Sequence, residues 1–209
     1  MTTFREKKEE FSSDILAGVY LACKGIVALT IGGVYGLLGI PKEKRTLRHA
    51  EIYLVSTTLI FIALIGIAQY WMPLGWLIVV LGNLRILQIV SLNLLTLMFD
   101  FTPTSGGDAA LKRARWHFIA LSFSLFDAFL VFAFMFQFFD KKFHIMNQPL
   151  AHFIDYFYYV MVTMMTVGYG DITPVTPFGR FLACYMMAVS LFMIVFFVNG
   201  VAGRLQKHI

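Results

Sequence analysis

The run Thr163-Met-Met-Thr-Val-Gly-Tyr-Gly-Asp171 sets glycine at alternate positions, Gly168 and Gly170. Without a Cβ, glycine enters left-handed backbone at no steric cost. Thr166 to Gly170 can therefore alternate between ordinary and left-handed conformations, turning successive carbonyl oxygens to one side while the side chains of Val167 and Tyr169 point away. Stacked carbonyl oxygens are a ligand set that replaces the hydration shell of an alkali cation. The expected ion-binding residues are Thr166, Val167, Gly168, Tyr169 and Gly170, with the Thr166 hydroxyl adding the innermost ligand. One loop supplies only part of such a ring and the chain holds one copy, so the working unit is expected to be a homotetramer with cyclic symmetry.

A second set of residues is charged. Lys24, Arg85 and Asp127 fall inside long apolar stretches, where a lone charge costs roughly 3 kcal/mol or more. Arg85 lies about eleven residues from Leu74 and Asp127 about eleven from Trp116, which at about 1.5 Å per residue puts both near mid-membrane. An intramembrane Arg85–Asp127 pair is expected, with Lys24 as a competing partner. Arg85, Gln88 and Ser91 also recur at every third place, like a voltage-sensing helix with its other arginines missing. One charge moved through 100 mV yields about 2.3 kcal/mol, whereas steep gating uses roughly three to four charges per subunit. Weak voltage dependence is the expectation.

Other chemistry is poorly served. Cys23 and Cys184 have no second Cys or His at ligand spacing, which argues against a disulfide or zinc site. No convergent nucleophile, base or metal ligands mark an enzyme, and no paired repeats with broken helices mark a transporter. The formal charge of +5 falls in short clusters between apolar runs, so no nucleic-acid partner is expected; nor is an organic cofactor.

The elements that must position these residues are membrane helices. Hydrophobic residues make up 59% and charged residues 14% of the chain, with a mean hydropathy of +0.75, so the expected solvent is the lipid bilayer. Apolar stretches run over about 14–40, 50–72, 74–99, 116–139 and 178–203, each near or above the roughly 20 residues that cross hydrocarbon. A shorter one, 150–165, fits a re-entrant segment, which must be buried in protein or line a water-filled cavity. Lys42, Lys44, Arg45, Arg48, Lys112, Arg113, Arg115, Arg204 and Lys207 are read as cytoplasmic by the positive-inside rule. That arrangement gives five spans with an external amino terminus; a break of the third stretch near Gly82 and Asn83 would instead give six. Phe101 to Leu111, with Pro103, Gly106 and Gly107, reads as a linker.

Around the glycine loop, Asn147 and Pro149 are expected to cap and open a pore helix through Phe153, Phe157 and Met161. Its carboxyl end would bring partial negative charge, about half an elementary charge, to a cation in the cavity below. Thr176 and Pro177 are expected as N-cap and first residue of the last helix. The stretch 150–203, with VTMMTVGYGDITPVTPFGR at its centre, resembles the pore-loop-plus-inner-helix unit of tetrameric potassium channels.

The resemblance implies an all-α transmembrane fold: three spanning helices, an outer helix, a re-entrant pore helix with its filter loop, and an inner helix, in a homotetrameric pore. It implies K+ at Thr166, Val167, Gly168 and Tyr169, Asp171 at the outer mouth, and Tyr158, Tyr159 and Thr163 behind the filter as support. Relatives often carry a tryptophan pair where this chain has Tyr158 and Tyr159, and a hinge glycine where it has Ser190. The expected domains are a polar segment 1–13, a three-helix region 14–100, a basic linker 101–115, the pore domain 116–205 and a tail 206–209. The expected activity is passive, K+-selective conduction across a plasma or inner membrane, with Asp171 external and the carboxyl terminus cytoplasmic. The alternative is a less selective or non-conducting modulatory subunit.

Overall fold

The computed structural model describes residues 14–27, 47–68, 72–99 and 108–205, with side chains over 18–26, 55–68, 73–94 and 119–195. The described helices are α1 (Asp14–Val27), α2 (Leu47–Ala68), α3 (Met72–Phe99), α4 (Asp108–Phe143), α5 (Phe153–Met164) and α6 (Pro177–Leu205). Among the described residues the β-type pairing is one isolated bridge, Met146 with Pro174. Among the described residues, three helices contain stretches long and apolar enough to cross a membrane, Pro73–Leu94, Ile119–Phe143 and Pro177–Val195. The chain divides into two compact units, residues 1–45 with 87–104 and residues 46–86 with 105–209.

In the first unit, α1 holds Lys24 exposed, its Nζ 5.5 Å from the centre of the Tyr20 ring one turn earlier. The expected continuation of this helix to residue 40 lies outside the described residues, as do the segment 1–13 and the basic residues Lys42, Lys44, Arg45 and Lys207. Gln88 and Ser91 are buried.

In the second unit, α4 is the central pillar. Every residue from Asp127 to Asp140 is buried, as a helix that is apolar on all sides requires. Lipid tails are as apolar as leucine, so these helices are held by close contact rather than by escape from solvent. α3 runs antiparallel to α4 with small residues at the seam. Gly75 lies so close to the Phe138 ring that a Cβ would overlap it, and a Cβ on Gly82 would stand 2.8 Å from Val131 Cγ1. Trp76 packs edge-on against Phe138 at 5.1 Å between ring centres.

Two expectations about these elements are corrected. α3 runs unbroken through Gly82 and Asn83, so the break on which the six-span alternative rested is not there. Gly82 marks close helix contact, and Asn83 returns its Nδ2 to the Val79 carbonyl of its own helix at 2.8 Å. The stretch read as a linker to Leu111 is helical from Asp108.

On the other side of α4, aromatic edges fix α5 and α6. Phe136 meets Tyr159 at 4.9 Å, Phe132 meets Tyr185 at 5.4 Å and Phe139 meets Phe178 at 4.9 Å. Such T-shaped pairs contribute roughly 0.5–1.5 kcal/mol each beyond buried area. α6 buries Leu182, Met186, Val189 and Met193, the i, i+4, i+7, i+11 stripe of one helix face.

Candidate functional site

The glycine loop 165–171 hangs from the carboxyl end of α5. The last four carbonyls of a helix have no donor within it, and here each has found one. Met161 O accepts from Met165 N at 2.9 Å, Thr163 O from Thr166 N at 3.1 Å, and Val162 O from both Val167 N at 2.9 Å and Gly168 N at 3.1 Å. Met164 O accepts from the Ser190 hydroxyl of α6 at 2.5 Å. The backbone then alternates: φ is +59° at Thr166, +61° at Gly168 and +79° at Gly170, while Val167 and Tyr169 between them stay out of that region. Gly168 and Gly170 supply the permissive positions expected of them. Thr166 was not expected there, since a β-branched residue at positive φ is an outlier.

Beyond the loop, the chain is clamped to the segment that follows α4. Asn147 N donates to Thr173 O at 2.9 Å, and Val175 N to Ile145 O at 2.8 Å. The Asn147 side chain donates to Asp171 O at 3.1 Å and accepts from Thr173 N at 3.1 Å. Asn147 and Pro149 therefore do not open the pore helix, which starts at Phe153 with His152 as N-cap. The reason is Asp155, whose carboxylate accepts the His152 N–H at 3.0 Å; Asn147 has no acid at the equivalent place and meets Asp171 and Thr173 instead. α5 is correspondingly shorter than the apolar stretch, 12 residues. At the next helix the expected cap is present: Thr176 Oγ1 accepts from Gly179 N at 3.1 Å, ahead of Pro177.

Tyr158 pairs with Asp171; desolvation and that hydrogen bond push its phenol above the ordinary range. Tyr159 is buried, which pushes its phenol up to about 12, and it bonds the Thr163 side chain one turn on. Tyr169 itself is 70% exposed in the chain. Tyr158 thus meets the end of the glycine loop, and Tyr159 its own helix α5.

Sequence reasoning missed Asp140. Its Oδ1 accepts from Met146 N at 2.9 Å and its Oδ2 from the Tyr156 hydroxyl at 2.7 Å, joining α4, the following loop and α5. Burial and the Asp140 carboxylate drive the Tyr156 phenol well above its ordinary value, so it remains the donor. The signal was available: an acid in the last turn of a helix opposes the helix dipole and needs donors to hold it.

At the far side of α4, Arg85 donates to Asp127 Oδ2 from Nε at 3.0 Å and from Nη2 at 2.8 Å. Two neighbours on α2 join them. Thr58 Oγ1 donates to Asp127 Oδ1 at 2.6 Å, and Arg85 Nη2 donates to Thr57 Oγ1 at 3.0 Å. The side chains of Arg85 and Asp127 are 10% and 4% exposed, so this is a buried pair.

The site is thus a 12-residue helix, a loop of alternating backbone and a long apolar helix in sequence. The family model described as "Ion channel" matches residues 119–207. The curated relatives are potassium channels. A hyperpolarization-activated voltage-gated potassium channel of Methanocaldococcus jannaschii is 38% identical over 61 residues, 29% of this chain and 26% of that one. The two-pore potassium channel 4 of Arabidopsis thaliana is 28% identical over 106 residues, 50% of this chain and 37% of that one. A voltage-gated potassium channel of Aeropyrum pernix is 30% identical over 61 residues, 29% of this chain and 21% of that one. The chain thus spans between 21% and 37% of the length of these relatives. No solved structure matches. The family match and these relatives support a pore-loop potassium channel family for residues 119–207.

Proposed function

We propose that the chain is one subunit of a homotetrameric, K+-selective channel that conducts passively. The observation that carries the reading is the alternation of positive φ at Thr166, Gly168 and Gly170, the backbone a row of carbonyls facing one axis requires. Thr166, Val167, Gly168 and Tyr169 hold K+ as the permeant ion, Gly170 completes the filter and Asp171 lies at its outer mouth. The fourfold assembly is supported by what one chain leaves uncovered: Tyr169 and Phe181 are each 70% exposed and Leu191 66%. A cleft of about 420 Å³ beside the loop, reaching Tyr159, Gly168, Arg180 and Cys184, likewise awaits neighbouring copies. The filter mouth faces outward and the carboxyl terminus lies in the cytoplasm, following the basic clusters.

Voltage acts weakly in this reading. Two relatives carry voltage gating in their names, but each match covers only 29% of this chain. Arg85 is bound to Asp127, and α3 offers no further arginine.

The test is ion flux from liposomes with potassium against sodium, comparing the native chain with Gly168→Ala. A Cβ at Gly168 meets nothing within 4 Å in its own chain, yet φ is +61°, so the substitution acts through the backbone. An L-residue in the left-handed region costs about 1–2 kcal/mol, and the tetramer incurs it at four places. That total is comparable to the roughly 5.5 kcal/mol that reverses a 99:1 population, so selective flux should collapse. Unchanged selective flux in Gly168→Ala would overturn the assignment.

A further inference from the structure

We infer that Ser190 is a positioning residue that ties α6 to the base of the filter, so that the open lifetime of the pore depends on its hydroxyl. The inference rests on the channel reading above. A serine inside a helix ordinarily returns its hydroxyl to the carbonyl four residues back, which here belongs to Met186. Ser190 instead donates to Met164 O, 26 residues away in sequence, at 2.5 Å. Donor and acceptor residues are 3% and 0% exposed, so no solvent competes for either group.

The position of the acceptor gives the bond its consequence. Of the last four carbonyls of α5, those of Met161, Val162 and Thr163 are taken by N–H groups of residues 165–168. Met164 O alone of these four is held by a side chain of another helix. Two residues later stands Thr166 at φ +59°. Backbone of that kind persists only where the surroundings over-determine it, and Ser190 supplies one of the constraints. The tether also restricts α6. Any displacement of this helix at the level of Ser190 either carries the end of α5 with it or breaks a buried hydrogen bond. Filter and lining helix are therefore mechanically joined at one hydroxyl in each subunit.

Ser190→Ala removes the donor with almost no change of shape and leaves the Met164 carbonyl buried and unsatisfied. A buried acceptor left without its donor corresponds to a change on the order of tenfold in a local equilibrium. The experiment is single-channel recording of the full chain in planar bilayers, for wild type, Ser190→Ala and Ser190→Thr, joined to hydrogen exchange of the purified proteins over residues 161–170. The expected result is open bursts about tenfold shorter in Ser190→Ala, an unchanged potassium-to-sodium permeability ratio, and near wild-type bursts in Ser190→Thr. Exchange over 161–170 should be faster in the alanine variant alone. The inference is overturned if alanine and threonine behave alike in both measurements, or if exchange at the end of α5 is the same in wild type and Ser190→Ala. A wild type without selective current would sink the channel reading, while accelerated exchange in Ser190→Ala would leave the tether standing.

Discussion

Replacing Arg85 by methionine should be far more damaging than replacing Arg85 and Asp127 together. In the single variant, the Asp127 carboxylate, 4% exposed, loses two charge-assisted hydrogen bonds on Oδ2 and keeps Thr58 on Oδ1. Removing one partner of a buried pair typically costs about 3–5 kcal/mol, because the other charge stays behind uncompensated. Asp127→Leu alone strands the guanidinium beside Thr57 at a similar cost. Exchanging both for apolar residues of like volume is often neutral, or stabilising by about 1–4 kcal/mol. The double-mutant cycle should therefore give a coupling energy of at least about 3 kcal/mol. For a chain of this size each kcal/mol moves the melting temperature by roughly 2–4 °C. Single variants should melt about 10 °C below wild type, and the Arg85→Met/Asp127→Leu chain close to it. The assay is loss of the native size-exclusion peak of the detergent-solubilised protein after heating. Additive single effects, with the double variant worse than either, would refute the reasoning.

Three further outcomes are expected. Tyr156→Phe removes a donor from the buried Asp140 carboxylate and should cost about 1.5–3 kcal/mol by the same assay. Because the folded phenol is raised above its ordinary value of 10.0, its contribution is complete below that pH and lost as pH climbs beyond it. Alkaline destabilisation should accordingly be steeper in wild type than in Tyr156→Phe. Asn147→Ala releases both side-chain bonds to the filter exit, and should speed hydrogen exchange over residues 171–175 with selectivity unchanged. A conductance–voltage curve in symmetric potassium, without blocking ions, should be shallow, and Arg85→Gln should not alter its slope; a steep curve flattened by that variant would show Arg85 to be a gating charge.

What the sequence reveals of this site is local, and what it conceals is contact at long range. Gly168 and Gly170 show the alternating backbone because the requirement lies in the residues themselves, and Thr176-Pro177 marks a helix start for the same reason. Arg85 and Asp127 can be brought to one depth by counting along long unbroken helices. Counting does not reach Thr57 and Thr58, since nothing local fixes the rotation of α2 about its axis. Asn147 looked like a cap because caps and loop clamps use the same side chain; its partners lie 24 and 26 residues on. Ser190 read as a substituted hinge, because a hydroxyl inside an apolar helix does not announce which carbonyl it will meet. The left-handed Thr166 is imposed by the hydrogen bonds at the end of α5 and has no signature in its own side chain.

The seam of Gly75 and Gly82 against Phe138 and Val131 makes α3 a poor piston. A helix that slides along its neighbour needs a smooth track, and this one is notched. A one-turn slip, about 5.4 Å, would bring Ile78 or Ile86 to the place where only Gly82 fits beside Val131, and would carry Arg85 past Asp127. Installing arginines on α3 would therefore add charge without adding stroke. An engineer seeking voltage control in this chain would first have to widen the groove at Phe138 and Val131, since the obstacle is mechanical before it is electrical.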